Sequence, residues 1–180
     1  MWIIVLLVIA GIGVVMYNSL VKLRTQVDGA WADVDVQLKR RYDLIPNLVE
    51  TVKGYASHEK ETLDAVIQAR SAAMGAQTPG AKAGAEGMLA GALKSLFALS
   101  EAYPDLKAQS SFQELQASLQ EVETSVSRSR QYYNAVVRDY NTKTQQVPTN
   151  IIANAFRFVQ REFFEVEEDA VREAPKVSFD

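Results

Sequence analysis

Apolar side chains recur along residues 20–55 in steps of three and four: Leu20, Leu23, Val27, Trp31, Val34, Leu38, Tyr42, Ile45, Val49, Val52 and Tyr55. That spacing keeps one face of a helix apolar. Pro46 interrupts it. A proline removes one backbone donor and crowds the carbonyl four residues back, so the chain is expected to kink near Tyr42 or to start a new helix at Pro46. Upstream the pattern changes from periodic to continuous. Residues 1–21 carry no charged side chain, and the first is Lys22. A run of about 20 apolar residues is the length that crosses a hydrocarbon core of roughly 30 Å. Trp2 and Tyr17 stand where interfacial aromatics belong, and Lys22 and Arg24 can reach lipid head groups. No basic stretch precedes the run as it would in a signal peptide, so an uncleaved transmembrane anchor is expected.

Beyond Gly54 the pattern predicts three more helices. Ser57 reads as an N-cap with Glu59 and Glu61 in the first turn, and Leu63, Val66, Ile67, Arg70 and Met74 suit a short second helix. The stretch from Gly75 to Gly87 (GAQTPGAKAGAEG) reads as a loop. A third helix is expected from about Gly87 to Ala102, with Met88, Leu89, Leu93, Leu96, Phe97 and Leu99 as its apolar surface and Pro104 beyond it. Ser111 with Glu114 forms a capping-box pattern at the head of a fourth helix. From there Phe112, Leu115, Leu119, Val122, Val126, Ser129, Tyr133, Val136, Tyr140, Lys143 and Val147 alternate by three and four, the seam of a coiled coil with polar defects at Ser129 and Lys143. Pro148 ends it.

At 1.5 Å per residue the first helix beyond the membrane and the fourth are each about 50 Å long, and the second and third about half that. Short connections make neighbours antiparallel. The second and third helices then turn back and forth over the distal half, and the fourth runs the full length home, bringing Val147 near the level of Lys22. The expectation is an all-α protein. An N-terminal transmembrane helix (residues 1–21) continues into an antiparallel four-helix bundle with long first and last helices (22–147). A short amphipathic and acidic C-terminal segment (148–180) follows. Ile151, Ile152, Phe156, Phe158, Phe163 and Phe164 make that segment a candidate contact with the membrane or a neighbouring subunit, the alternative being a fold back onto its own bundle.

Composition narrows the chemistry. There is no cysteine and one histidine, His58, which rules out thiolate chemistry and most metal sites. The net charge of −3 gives no basic bias toward nucleic acid. Residues 160–180 hold seven acids against Arg161, Arg172 and Lys176. No phosphate-cradling pattern follows a strand, and Asp33 and Asp43 lie about 15 Å apart along a helix, too far to share one bond as an acid–base pair. No catalytic residue, cofactor or metal site is therefore expected. Asp33, Asp35, Arg40, Arg41, Asp43 and Asn47 crowd the first helix, and Arg130, Asn134, Arg138 and Asn141 the fourth. Antiparallel packing would bring the two sets into a network that fixes register. The sharper alternative makes Arg40, Arg41, Asp43, Pro46 and Asn47 a docking surface.

The residues in hand closely resemble the LemA family. The resemblance runs through Tyr17-Asn18-Ser19-Leu20-Val21, Ala30-Trp31, the stretch Val34 to Arg41, Asp43 to Ala56, and Glu101-Ala102-Tyr103-Pro104-Asp105-Leu106-Lys107-Ala108. It continues in Tyr132-Tyr133-Asn134, Tyr140-Asn141 and the closing Pro175-Lys176-Val177-Ser178-Phe179. The family pattern near the end has a phenylalanine before the proline and a Gly-Phe-Lys-Pro stretch. Val147 and Arg157-Phe158-Val159-Gln160 stand in those places here, and that segment is not carried over. The resemblance implies a bacterial inner-membrane protein with one span and a cytoplasmic bundle, and names no reaction. The Lys and Arg residues beyond the span agree with an N-terminus outside and a C-terminal domain in the cytoplasm. Two functions follow as expectations: a self-associating scaffold in the lipid bilayer, or an adaptor docked on another membrane protein such as a protease.

Overall fold

A computed structural model describes residues 1–165. The closing Pro175–Phe179 motif and most of the acidic stretch lie outside the described residues. Six helices follow in order, with no strand among the described residues: α1 Trp2–Lys53, α2 Lys60–Gly75, α3 Pro79–Ser100, α4 Pro104–Ala108, α5 Ser110–Gln145 and α6 Thr149–Ala155.

The apolar run and the periodic stretch are one helix. α1 extends over 52 residues with Pro46 inside it, so no new helix begins there. Proline leaves the carbonyl of Tyr42 without its intrahelical donor. That carbonyl accepts instead from Nε of Arg70 on α2, at 2.8 Å. The hydrogen bond lost to proline is recovered from a neighbouring helix, and α1 carries on to Lys53.

α1 and α5 pack antiparallel in one register. Trp31 meets Tyr133 with ring centroids 5.2 Å apart, and Arg41 meets Glu123 at 3.0 Å. Ten residues forward on α1 are ten residues back on α5. The seam read from sequence is largely inside: Phe112, Leu119, Val122, Val126, Tyr133, Val136 and Tyr140 are buried, opposite Leu20, Val27, Val34, Leu38 and Ile45. Val147 departs from it. It lies past the end of α5 and is 80% exposed.

Three helix starts differ from the sequence expectation. α2 begins at Lys60 with Glu59 as N-cap, so Ser57 caps nothing. α5 begins at Ser110 with Gln109 as N-cap and no side-chain cap, and the Ser111–Glu114 capping box does not form. The largest difference is residues 75–87. α3 starts at Pro79, with Thr78 as N-cap accepting from the Ala81 amide at 3.2 Å and proline in the first turn. The alanines of this stretch are not idle: Ala83 and Ala85 are buried, because side chains this small let α3 lie close to its neighbours. The Pro104 turn is also the short helix α4, which buries Leu106 completely.

Membrane-proximal end and candidate interaction surfaces

α1 is long and apolar enough to cross a membrane, and its apolar window stands almost wholly outside the body. Trp2 is exposed at its tip. Tyr17 marks the level at which the body begins. It packs edge-on against Phe156 at 4.8 Å and Phe158 at 5.6 Å between ring centroids. Lys22 and Arg24 are exposed one turn further on, and the Arg24 guanidinium lies 5.1 Å from the Phe158 ring centre.

The candidate contact residues of the C-terminal segment divide into two sets. Phe158 and Phe164 are 7% and 0% exposed, so they belong to this chain's own core and offer nothing to a partner. Ile152 and Phe163 are partly buried against that core. Ile151 and Phe156 remain outside, 65% and 59% exposed. α6 ends in a turn that explains this split. The Phe158 amide bonds to the Ala153 carbonyl at 2.9 Å and the Arg157 amide to that of Asn154 at 3.3 Å, with Arg157 in the left-handed region at φ 55°. This is a Schellman turn, with the contact between Phe158 and Ala153 inside. It reverses the chain and sends it back along α5.

The returning segment is held by two asparagines expected in an interhelical network and by two tyrosines of the α5 seam. Asn141 donates to the Arg161 carbonyl and accepts from its amide, both at 2.8 Å. Asn134 does the same to Phe164, at 3.2 and 2.8 Å. Tyr140 donates to the Val159 carbonyl at 2.9 Å and Tyr133 to that of Glu162 at 2.8 Å. The arrangement is a matter of matched spacing. Two helix turns advance about 10.5 Å over seven residues, and three residues of extended chain advance about 10 Å. The Tyr-Asn pair repeated after seven residues is the signal that could have revealed this strap. Burial pushes the Tyr133 hydroxyl up to about 12, with the Arg161 charge opposing and Glu162 and Asp28 adding to the rise. Burial likewise raises Tyr140, against the pull of Arg161 and Arg24.

The charged sets on α1 and α5 do not join. Register puts Arg41 opposite Glu123, and Asn134 and Asn141 about three and five turns nearer the membrane end. Arg41 is buried and pairs with Glu86 of α3 at 2.7 Å as well as Glu123. Tyr42 donates to the other Glu86 oxygen. Burial and then that carboxylate raise the Tyr42 hydroxyl strongly, with Arg41 opposing. Glu86 was missed because it falls in the stretch read as a loop. Asp35 pairs with Lys82 of α3 at 2.8 Å, and Asp43 with Lys39 of its own helix at 3.0 Å. Of the docking candidates, Arg41 is therefore an interior residue, while Arg40, Asp43, Pro46 and Asn47 face outward. An open groove of about 370 Å³ runs between α3 and α5, lined by Arg41, Leu93, Phe97, Leu119 and Glu123 among others. Among the described residues no His, Asp and Glu cluster has the arrangement of a metal site.

Comparison with known proteins agrees with this architecture of an apolar helix leading into a helical body. The chain is 25% identical over 175 residues to the magnetosome protein MamQ 2 of Paramagnetospirillum magneticum, covering 83% of this chain and 64% of that protein. It is 23% identical over 174 residues to the magnetosome protein MamQ of Magnetospirillum gryphiswaldense, covering 82% and 64%. The chain thus spans just under two thirds of the length of these relatives. It is also 24% identical over 155 residues to protein LemA of Metamycoplasma hominis, covering 84% and 69%. The sequence profile of the LemA family matches residues 30–179, nearly the whole of the chain beyond the apolar run, and this chain belongs to the LemA family.

Proposed function

We propose that this protein is a non-enzymatic membrane scaffold whose rod-like bodies associate side by side to organise or shape the bilayer. The observation that carries the reading is α1 itself, a single 52-residue helix passing from the apolar run into the body. Anchor and rod are one stiff element, so contacts between neighbouring rods are transmitted to the spans. Val36, Arg40, Asp43 and Asn47 recur by four, three and four on the outer face of α1 and supply a surface for a neighbouring copy. The magnetosome proteins among its relatives accord with a role at a membrane. Lys22 and Arg24 follow the span, and by the positive-inside rule they support a body in the cytoplasm of a bacterial inner membrane with the N-terminus outside.

The test is the native mass of the intact protein extracted in mild detergent, by light scattering or cryo-electron microscopy. A symmetric homo-oligomer supports the scaffold. A monomer without any companion sinks it. A monomer that co-purifies with another membrane protein supports the second reading, an adaptor or regulator, which the part-apolar groove between α3 and α5 favours.

A further inference from the structure

We propose that the end of the body formed by Val147, Pro148, α6 and the turn at Phe156 is a second membrane contact, seated in the interfacial layer beside the span. The inference rests on the reading of α1 as membrane-spanning. Three observations carry it, and the first is level. The Ile152 side chain lies against Gly13, where an added Cβ would meet its Cδ1 at 3.9 Å, and Phe156 packs on Tyr17. Gly13 and Tyr17 stand about 14 and 8 Å to the apolar side of Lys22 along α1. α6 therefore does not hang above the apolar run; it overlaps its last turns. An amphipathic element in the interface buries its apolar side about 5–10 Å deep, a range that includes the level of Tyr17 and Phe156.

The second observation is what this end exposes. Val147, Ile151 and Phe156 are 80%, 65% and 59% exposed, and each is attached to residues that are held inside: Thr149 and Ala153 of α6, and Phe158 beyond the turn. The apolar groups are thus pinned outward by a well-packed base.

The third is charge. By the register of α1 on α5, residues 1–27 and 137–161 together make up this end, and their one acid is Asp139, which lines a groove with Lys22, Arg138 and Lys143. Lys22, Arg24, Lys143, Arg157 and Arg161 are all there. In a chain of net charge −3 this end is, among the described residues, predominantly basic. Arg161, the farthest from the membrane, pairs with Asp28 at 2.9 Å; the others form a collar around the apolar tip. Apolar groups ringed by cations suit an interface with anionic phospholipid. A second copy presenting the same face would set one basic collar against another, which is why lipid is the occupant. Two anchoring points, span and foot, would then fix the tilt of the rod on the membrane.

The chain has no cysteine, so single cysteines can be placed and labelled without background. Four variants of the full chain, I9C, I151C, F156C and K39C, would carry an environment-sensitive fluorophore in vesicles of mixed zwitterionic and anionic phospholipid. The replaced residues are exposed, so folding is not at stake. Emission would be challenged with iodide in the water and with spin labels placed shallow or deep on the lipid chains. At residues 151 and 156 the shallow label should quench at least about threefold more than at residue 39, with iodide access correspondingly reduced. Deep quenching at residue 9 together with full iodide access at 151 and 156 would overturn the foot and leave the span intact. Protection from iodide without lipid quenching would overturn it in favour of a protein partner on that face. Loss of deep quenching at residue 9 would remove the span and the foot together.

Discussion

At the scale of single residues, two positions do work that their neighbours in sequence do not announce. Arg157 holds a left-handed conformation that suits glycine, at the position where the family pattern has one. A side chain there costs about 1–2 kcal/mol, part of which glycine returns through the entropy of the unfolded chain. R157G is therefore expected to raise stability by about 1 kcal/mol, seen as a higher unfolding temperature in detergent. Arg70 is the second. Its bond to the Tyr42 carbonyl fills the place left by Pro46, so R70A should cost about 1–3 kcal/mol by leaving a carbonyl unsatisfied. In a P46A background the restored amide would serve that carbonyl, and the cost of R70A should shrink toward that of an ordinary surface change. Equal costs in both backgrounds, measured by denaturant unfolding, would break the argument. Periodicity placed Arg70 on a helix, but its partner is a backbone atom on another helix, and side-chain spacing carries no record of such a bond.

At the scale of elements, what was legible depended on how many side chains repeat one message. α1 and α5 state theirs over many turns, and most of the residues that spell it are buried. The start of α3 was hidden because alanine and glycine carry little hydrophobic contrast, although Thr78-Pro79 is a cap followed by a first-turn proline. The strap at residues 159–164 was legible only as one of two alternatives, a fold back onto the bundle, for a different reason. Apart from Phe164 in the core, it is held by bonds to its backbone, which its own sequence need not encode. Each of N134A and N141A removes a paired donor and acceptor and should cost about 1–3 kcal/mol. The loss should appear first as faster hydrogen exchange at the Arg161 and Phe164 amides. The tyrosines add a pH dependence. Tyr133 titrates near 12 in the folded chain against its ordinary value of 10. The native state thus holds this proton more tightly, and the contribution to stability is complete below pH 10 and is lost as pH rises toward 12. Y133F should show a shallower fall in stability over that interval, with Tyr42 and Tyr140 supplying the remaining slope in the same direction.

At the scale of the whole molecule, the ends differ in kind. The buried core starts at Leu20; of the residues before it Tyr17 packs against that core, while the apolar window stands almost wholly outside the body. A chain beginning at Tyr17 retains every core residue and the Tyr17 contact with Phe156, and should fold as a helical body in water. What it should still carry is the basic collar and the apolar tip of α6. Each Lys or Arg close to an anionic bilayer contributes about 1 kcal/mol, an attraction that salt screens over about 10 Å at 0.1 M. The shortened chain is therefore expected to sediment with anionic vesicles at low ionic strength and to leave them as salt is raised, while ignoring zwitterionic ones. Replacing Ile151 and Phe156 by serine should weaken that binding without changing helicity, because both side chains lie outside the core. Binding that withstands salt and needs no anionic lipid would mean that apolar insertion alone holds the foot. No binding under any condition would mean that the span alone sets how the rod meets the bilayer.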